Sequence, residues 1–93
     1  MIRCIVEMYG FALEVSGRNE MEVVLADGAR LGDVIAELRQ KAPELEGKVI
    51  NPGTNTLVEH CVFNIEGKFY FENEDVEIKD GGRIRLLTLA TGG

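Results

Sequence analysis

One amphipathic helix stands between blocks of alternating residues, and that arrangement limits what this chain can fold into. Leu31, Val34, Ile35 and Leu38 recur at i, i+3, i+4 and i+7, which gathers them on one helical face. The spacing predicts a helix from about Leu31 to Ala42. Asp33 lies in its first turn, where a carboxylate suits the helix dipole. Glu37 and Lys41 form an i, i+4 pair on the wet face, worth only ~0.3 kcal/mol. Pro43 disfavours helical geometry at Ala42 and ends the element there. A single apolar stripe must be buried, so this helix is expected to cover one face of one sheet.

The flanking segments supply the strands. From Ile2 to Tyr9 the residues alternate: Ile2, Cys4, Val6 and Met8 on one side, Arg3, Glu7 and Tyr9 on the other, with Ile5 as an exception. That is the signature of a half-buried strand. Gly17-Arg18-Asn19 signals a turn, and Met21–Leu25 reads as a second strand. Together they predict an antiparallel hairpin with a long loop around Phe11–Asn19. Asp27-Gly28 breaks the second strand before the helix. Beyond the helix lies a stretch from Glu46 to Glu59 without clear periodicity, containing the turn signal Asn51-Pro52-Gly53. Val62–Ile65 and Lys68–Phe71 read as strands joined by a tight Glu66-Gly67 turn. Asp80-Gly81-Gly82 is another turn, and Arg83–Leu89 the last strand, with Ile84 and Leu86 opposite Arg83 and Arg85. The first and last strands are the longest and most apolar, and are expected to pair centrally, in parallel. The expectation is an α+β fold: a mixed sheet covered on one face by one main helix. It forms a single domain over residues 1–89, followed by a flexible tail, 90–93.

Composition narrows the function. A chain of 93 residues has one modest core and no room for a large buried active site. The net charge of −6 argues against nucleic acid, whose phosphates are bound by clustered Lys and Arg. It suits attraction to a basic protein partner, or plain solubility. No apolar run approaches the ~20 residues of a membrane span. The N-terminus enters a strand pattern directly, unlike a signal peptide. A cytoplasmic protein is expected.

The two cysteines, Cys4 and Cys61, form no metal-binding or redox pair, and read as buried thiols. The only histidine, His60, adjoins Cys61, but neighbouring residues of a strand face opposite ways. A Cys–His dyad is therefore not expected, nor is a metal site. Gly28, Gly32, Gly53 and Gly67 lack the spacing of a phosphate loop. The aromatic group Phe63, Phe69, Tyr70 and Phe71 reads as strand packing rather than a ligand box. Glu72-Asn73-Glu74-Asp75 reads as a solvated loop, since it lacks the spacing of a calcium loop.

Ala90-Thr91-Gly92-Gly93 is the most informative segment. At a Gly frequency of ~7 %, chance places such a pair at a chain end about once in 200 sequences, so the pair alone decides little. Its context does more: it follows an apolar strand directly, with no polar linker. Lacking a Cβ, glycine lets a backbone pass a narrow channel and adopt torsions closed to other residues. Such a tail suits a carboxylate that must enter another protein's active site. Leu87 and Leu89 are ambivalent: exposed, they are docking residues; otherwise they finish the core. Leu89, nearer the free end, is assigned the docking role.

With these pieces in order, the chain resembles the small subunit of molybdopterin synthase and its relatives, the ubiquitin-like sulfur carriers. The resemblance rests on Met1-Ile2-Arg3-Cys4-Ile5-Val6, on Leu25 to Ile35 entering the helix, and on Ala42-Pro43-Glu44-Leu45 leaving it. It rests also on Lys79-Asp80-Gly81-Gly82-Arg83-Ile84, and above all on the terminal Ala90-Thr91-Gly92-Gly93. It departs at Arg30, where relatives often place a Thr or Ser cap, and at Thr88-Leu89, which replaces a proline-containing tail. The Glu46–Glu59 segment is longer and more polar than in the shortest carriers.

The resemblance implies a β-grasp (ubiquitin-like) fold and a carrier rather than an enzyme. The Gly93 carboxylate would be adenylated by a ubiquitin-activator-like enzyme using ATP and Mg²⁺, then converted to a thiocarboxylate by a persulfide sulfur. This chain itself would bind no cofactor. Ala90, Thr91 and Gly92, with Leu89, would contact partners. Among these partners the resemblance implies a molybdopterin synthase large subunit, to which sulfur would be delivered for molybdenum or tungsten cofactor assembly. The alternative is a protein modifier joined through Gly93 to target lysines. A third reading, from another class, is an adaptor domain that only binds partners.

Overall fold

The computed structural model describes residues 1–70 and 76–89. The expected strand at Phe71, the Glu72–Asp75 loop and the tail from Ala90 to Gly93 fall wholly or partly outside the described residues.

Five strands form one mixed sheet: β1 (Ile2–Met8), β2 (Glu20–Leu25), β3 (Cys61–Ile65), β4 (Lys68–Tyr70) and β5 (Gly82–Thr88), in the spatial order β2-β1-β5-β3-β4. The central pair β1–β5 is parallel, as expected from the two most apolar strands, with Val6 opposite Ile84 and Met8 opposite Leu86. The other pairings are antiparallel. The starts of β1 and β5 are locked together: the Arg3 N–H donates to Asp80 Oδ1 at 2.8 Å, and the Gly81 N–H to the Arg3 carbonyl at 2.7 Å.

Two helices pack with the sheet: α1 (Gly10–Ser16) and α2 (Leu31–Lys41). In α2 the stripe Leu31, Val34, Ile35 and Leu38 is fully buried. It meets the inward residues Cys4, Val6 and Met8 of β1, Met21, Val23 and Leu25 of β2, and Ile84 and Leu86 of β5 in one core. The Arg30 side chain cannot act as an acceptor cap. Instead the Asp33 carboxylate accepts the Arg30 backbone N–H at 2.9 Å, which supplies half of a capping box from the far side. At the other end Ala42 leaves helical geometry (φ −136°, ψ 75°) and Pro43 opens a single 3₁₀ turn, Pro43–Leu45.

One segment differs from the sequence expectation, and for a second the sequence predicts no element. The loop expected at Phe11–Asn19 contains α1, closed by Gly17 in the left-handed region (φ 69°), whose N–H returns to the Leu13 carbonyl. That second segment, the stretch after α2 without clear periodicity, is a packed loop: Val49 and Ile50 are fully buried, and the Asn51 amide donates to Thr56 Oγ1 and the Leu57 carbonyl. Arg39 of α2 ties this loop down, with Nε 3.1 Å from Glu46 and Nη1 donating to Asn55. The aromatic group also divides. Phe63 is buried, whereas Phe69 is 51 % exposed, because the β3–β4 register sets Tyr70 opposite Phe63 and the adjacent Phe69 faces the other way.

Candidate functional site: the sheet's open face and the root of the tail

The face of the sheet away from α2 carries an ionic ladder. The parallel β1–β5 register sets Glu7 opposite Arg85 and Ile5 opposite Arg83, and β1–β2 pairing sets Glu7 opposite Glu20. Arg83 Nη1 therefore reaches both Glu7 (2.6 Å) and Glu20 (3.1 Å), while Arg85 Nε reaches Glu7 at 3.3 Å. The Tyr9 hydroxyl donates to Glu7 at 3.0 Å. Hydrogen bonds from Arg83 first, then Tyr9, hold the Glu7 carboxyl below its usual range. The same contacts raise the Arg83 guanidinium, chiefly through Glu7, and the Tyr9 phenol, again chiefly through Glu7. Sequence alternation put Arg83 and Arg85 on the wet side, but their partners depend on strand register and were not read from it.

The root of the tail lies at the C-terminal end of β5, in the middle of the sheet. Ile84 and Leu86 are core residues, and the Leu86 carbonyl accepts the Tyr9 N–H at 3.1 Å. Leu87 is half-buried and faces Val62 across the β3–β5 ladder. Leu89 is 37 % exposed. Its N–H donates to the His60 carbonyl at 2.7 Å, one step beyond the last β3–β5 pair, Cys61–Thr88. Leu89 also borders a surface concavity of about 490 Å³ shared with Asn51, Leu57, Val58 and His60. The remaining expected site residues, Ala90, Thr91, Gly92 and Gly93, lie outside the described residues.

Of the two thiols, Cys61 also borders this concavity and pairs with Thr88 at the end of β5. Cys4 and Cys61 are both buried. Burial pushes the Cys4 thiol up. It also pushes Cys61 up, against a hydrogen bond with Thr88 that pulls it down. Both are thus held in the protonated, weakly nucleophilic form. His60 precedes β3 rather than lying in it, and is exposed where Cys61 is buried.

A mixed sheet with a parallel central pair, one main helix across one face and an open opposite face defines a ubiquitin-like β-grasp protein. The ThiS family profile matches residues 6–93, and the chain belongs to that family. It is 26 % identical over 80 residues to a molybdopterin synthase sulfur carrier subunit of Chlamydomonas reinhardtii, covering 86 % of each protein. Its fold is similar to that of SAMP1 from Haloferax volcanii (TM-score 0.78, 22 % identity, 98 % of this chain and 99 % of that one). It is also similar to a chain in the BexX/CysO complex of Amycolatopsis orientalis (TM-score 0.67, 17 % identity, 97 % and 99 %). Among the described residues no helix is long and apolar enough to cross a membrane.

Proposed function

We propose that this protein is a cytoplasmic sulfur carrier whose Gly93 carboxylate is the working group, and that it serves molybdopterin synthesis. The observation that carries the reading is the placement of the tail root. The central strand β5 is bonded on both sides and ends at Thr88, and the next residue, Leu89, is held through its N–H by the His60 carbonyl, immediately before residues 90–93. The family match through residue 93 and the named role of the algal relative support it.

In this reading the chain is the substrate of a ubiquitin-activator-like enzyme that supplies the ATP and Mg²⁺ site. A Gly93 carboxylate oxygen attacks the α-phosphorus and pyrophosphate leaves. The resulting acyl-adenylate is a far better acyl donor than a carboxylate; a persulfide sulfur displaces AMP to give an acyl disulfide, and a second thiol cleaves its S–S bond, releasing the thiocarboxylate as a new disulfide forms. Gly92 keeps the approach narrow, Ala90 and Thr91 line the entering tail, and Leu89 meets the partner's surface. A molybdopterin synthase large subunit is the proposed receiver of the sulfur.

A second reading shares the activation step. Conjugation through Gly93 to target lysines would make the chain a protein modifier, as the archaeal structural neighbours are named. The deciding experiment is deletion of Gly93. ATP–pyrophosphate exchange with the cognate adenylating enzyme is expected to vanish while the circular dichroism spectrum is unchanged. Normal exchange by the truncated chain would put the adaptor reading first. Intact mass of the protein from its native host then separates the two carrier readings. One oxygen replaced by sulfur marks the donor; attachment to lysine marks the modifier.

A further inference from the structure

Among the described residues seven glycines take positive φ, and only two other residues do: Glu66 (φ 52°) and His60 (φ 77°). Glu66 is explained by the two-residue hairpin turn it forms with Gly67. His60 is not in a hairpin. It lies in the turn Val58–Cys61, closed by the Cys61 N–H on the Val58 carbonyl at 3.1 Å. Its φ is that of the third position of a type II turn, where Gly or Asn is preferred. An observed backbone outlier of this kind is a reason to look for what it holds in place.

What it holds is Leu89. The His60 carbonyl accepts the Leu89 N–H at 2.7 Å and so extends the β3–β5 ladder by one bond past Cys61–Thr88. The turn is itself tied to the core, since the Val58 N–H donates to the carbonyl of the fully buried Val49 at 2.8 Å. A continuous path of backbone bonds thus runs from the packed loop to the last described residue.

We propose that the Val58–Cys61 turn is a clamp on the root of the tail, with His60 as its positioning residue. By holding the Leu89 N–H it sets the point from which residues 90–93 continue. Four residues reach at most about 14 Å, so the region the Gly93 carboxylate can visit is set by where Leu89 is fixed. If that bond opens, the last turn of the strand frays and the region widens. Attack on a phosphorus atom tolerates little misplacement. This inference rests on Gly93 being the working group.

The test uses the full chain with its adenylating enzyme, and reads two things: amide exchange at Leu89 by NMR, and kcat and KM for the carrier in ATP–pyrophosphate exchange. His60→Gly and His60→Asn accept the left-handed conformation, and are expected to keep both the slow Leu89 amide and the native kcat. His60→Pro fixes φ near −65°. It is expected to expose the Leu89 amide and to lower kcat about tenfold or more, with KM shifted less than about twofold. A purely structural role would lower Tm and leave kcat of the folded fraction unchanged.

A semisynthetic chain with an ester in place of the Thr88–Leu89 amide removes the donor alone and decides the matter even where the proline variant does not fold. It is expected to lose kcat to the same extent. Native kcat in the ester chain, or loss of activity in His60→Gly with the Leu89 amide still protected, overturns the clamp. The Gly93 deletion keeps the two ideas apart. If exchange survives that deletion, the carrier reading fails while the Leu89 amide still reports on the turn.

Discussion

Glu7 lies between two guanidiniums and under a phenol, and its protonation governs the ionic ladder on the open face. Its folded pKa is depressed, so its contribution is complete above the unfolded carboxyl value, about 4.3, and is lost as pH falls through the lower folded value. Thermal melts of wild type and Glu7→Gln are therefore expected to differ at pH 7 and to converge as the pH is taken well below 4. A gap that persists unchanged in acid would assign the effect to something other than the carboxylate. High salt is expected to narrow the pH 7 gap, because these groups are partly exposed. Leu38 is a contrasting case, governed by packing alone. It is fully buried in the stripe of α2, and Leu38→Ala is expected to cost ~2–5 kcal/mol in urea denaturation, independent of pH.

At the scale of elements, α2 was legible because four core residues repeat at helical spacing and Pro43 marks the stop. The parallel pairing of β1 and β5 was legible because both strands alternate and both are strongly apolar. The short helix α1 was not. It has seven residues, no side-chain cap, no acidic residue in its first turn and one buried residue, Ala12, so it shows no stripe for a periodicity argument to find. Its one sequence mark is Gly17, which reads equally as a loop turn or a helix stop; the structure selects the second. Gly17→Ala places a Cβ at φ 69° and is expected to cost about 1–2 kcal/mol. Equilibrium unfolding measures it, and a neutral result would mean that α1 can end in another way. The loop after α2 was illegible for a different reason. Val49, Ile50 and Leu57 are core residues spaced by turn geometry rather than by a helical or strand period. At the site, the sequence singles out Leu89 only for lying nearer the free end, and it is 37 % exposed. The ladder Glu20–Arg83–Glu7–Arg85 and the His60–Leu89 bond could not be read, because they depend on cross-strand register and on one turn's φ.

For the whole molecule, the proposed chemistry separates the folded body from the reacting group: the sheet offers surface, and the carboxylate acts beyond it. Two consequences follow from that separation. Cys4 and Cys61 are buried and held as thiols, so Cys4→Ala and Cys61→Ala are expected to leave thiocarboxylate formation unchanged per folded molecule, as read by intact mass. Loss of the thiocarboxylate in a folded variant would mean that the sulfur passes through this chain's own thiols. The second consequence concerns length. Adding one alanine after Gly93 leaves the sheet, the ladder and the Leu89 anchor untouched, so affinity for the adenylating enzyme by calorimetry is expected to stay within about threefold of native. The carboxylate, however, moves one residue on, about 3.5 Å in an extended chain, and is out of line with the α-phosphorus. Misplacement of ~1 Å already costs about a hundredfold in well-aligned reactions, so exchange is expected to fall by at least that factor. An extended chain that binds and reacts normally would show that the partner measures the terminus by feeling for the carboxylate rather than by distance from the sheet. The fixed root at Leu89 would then have no bearing on catalysis.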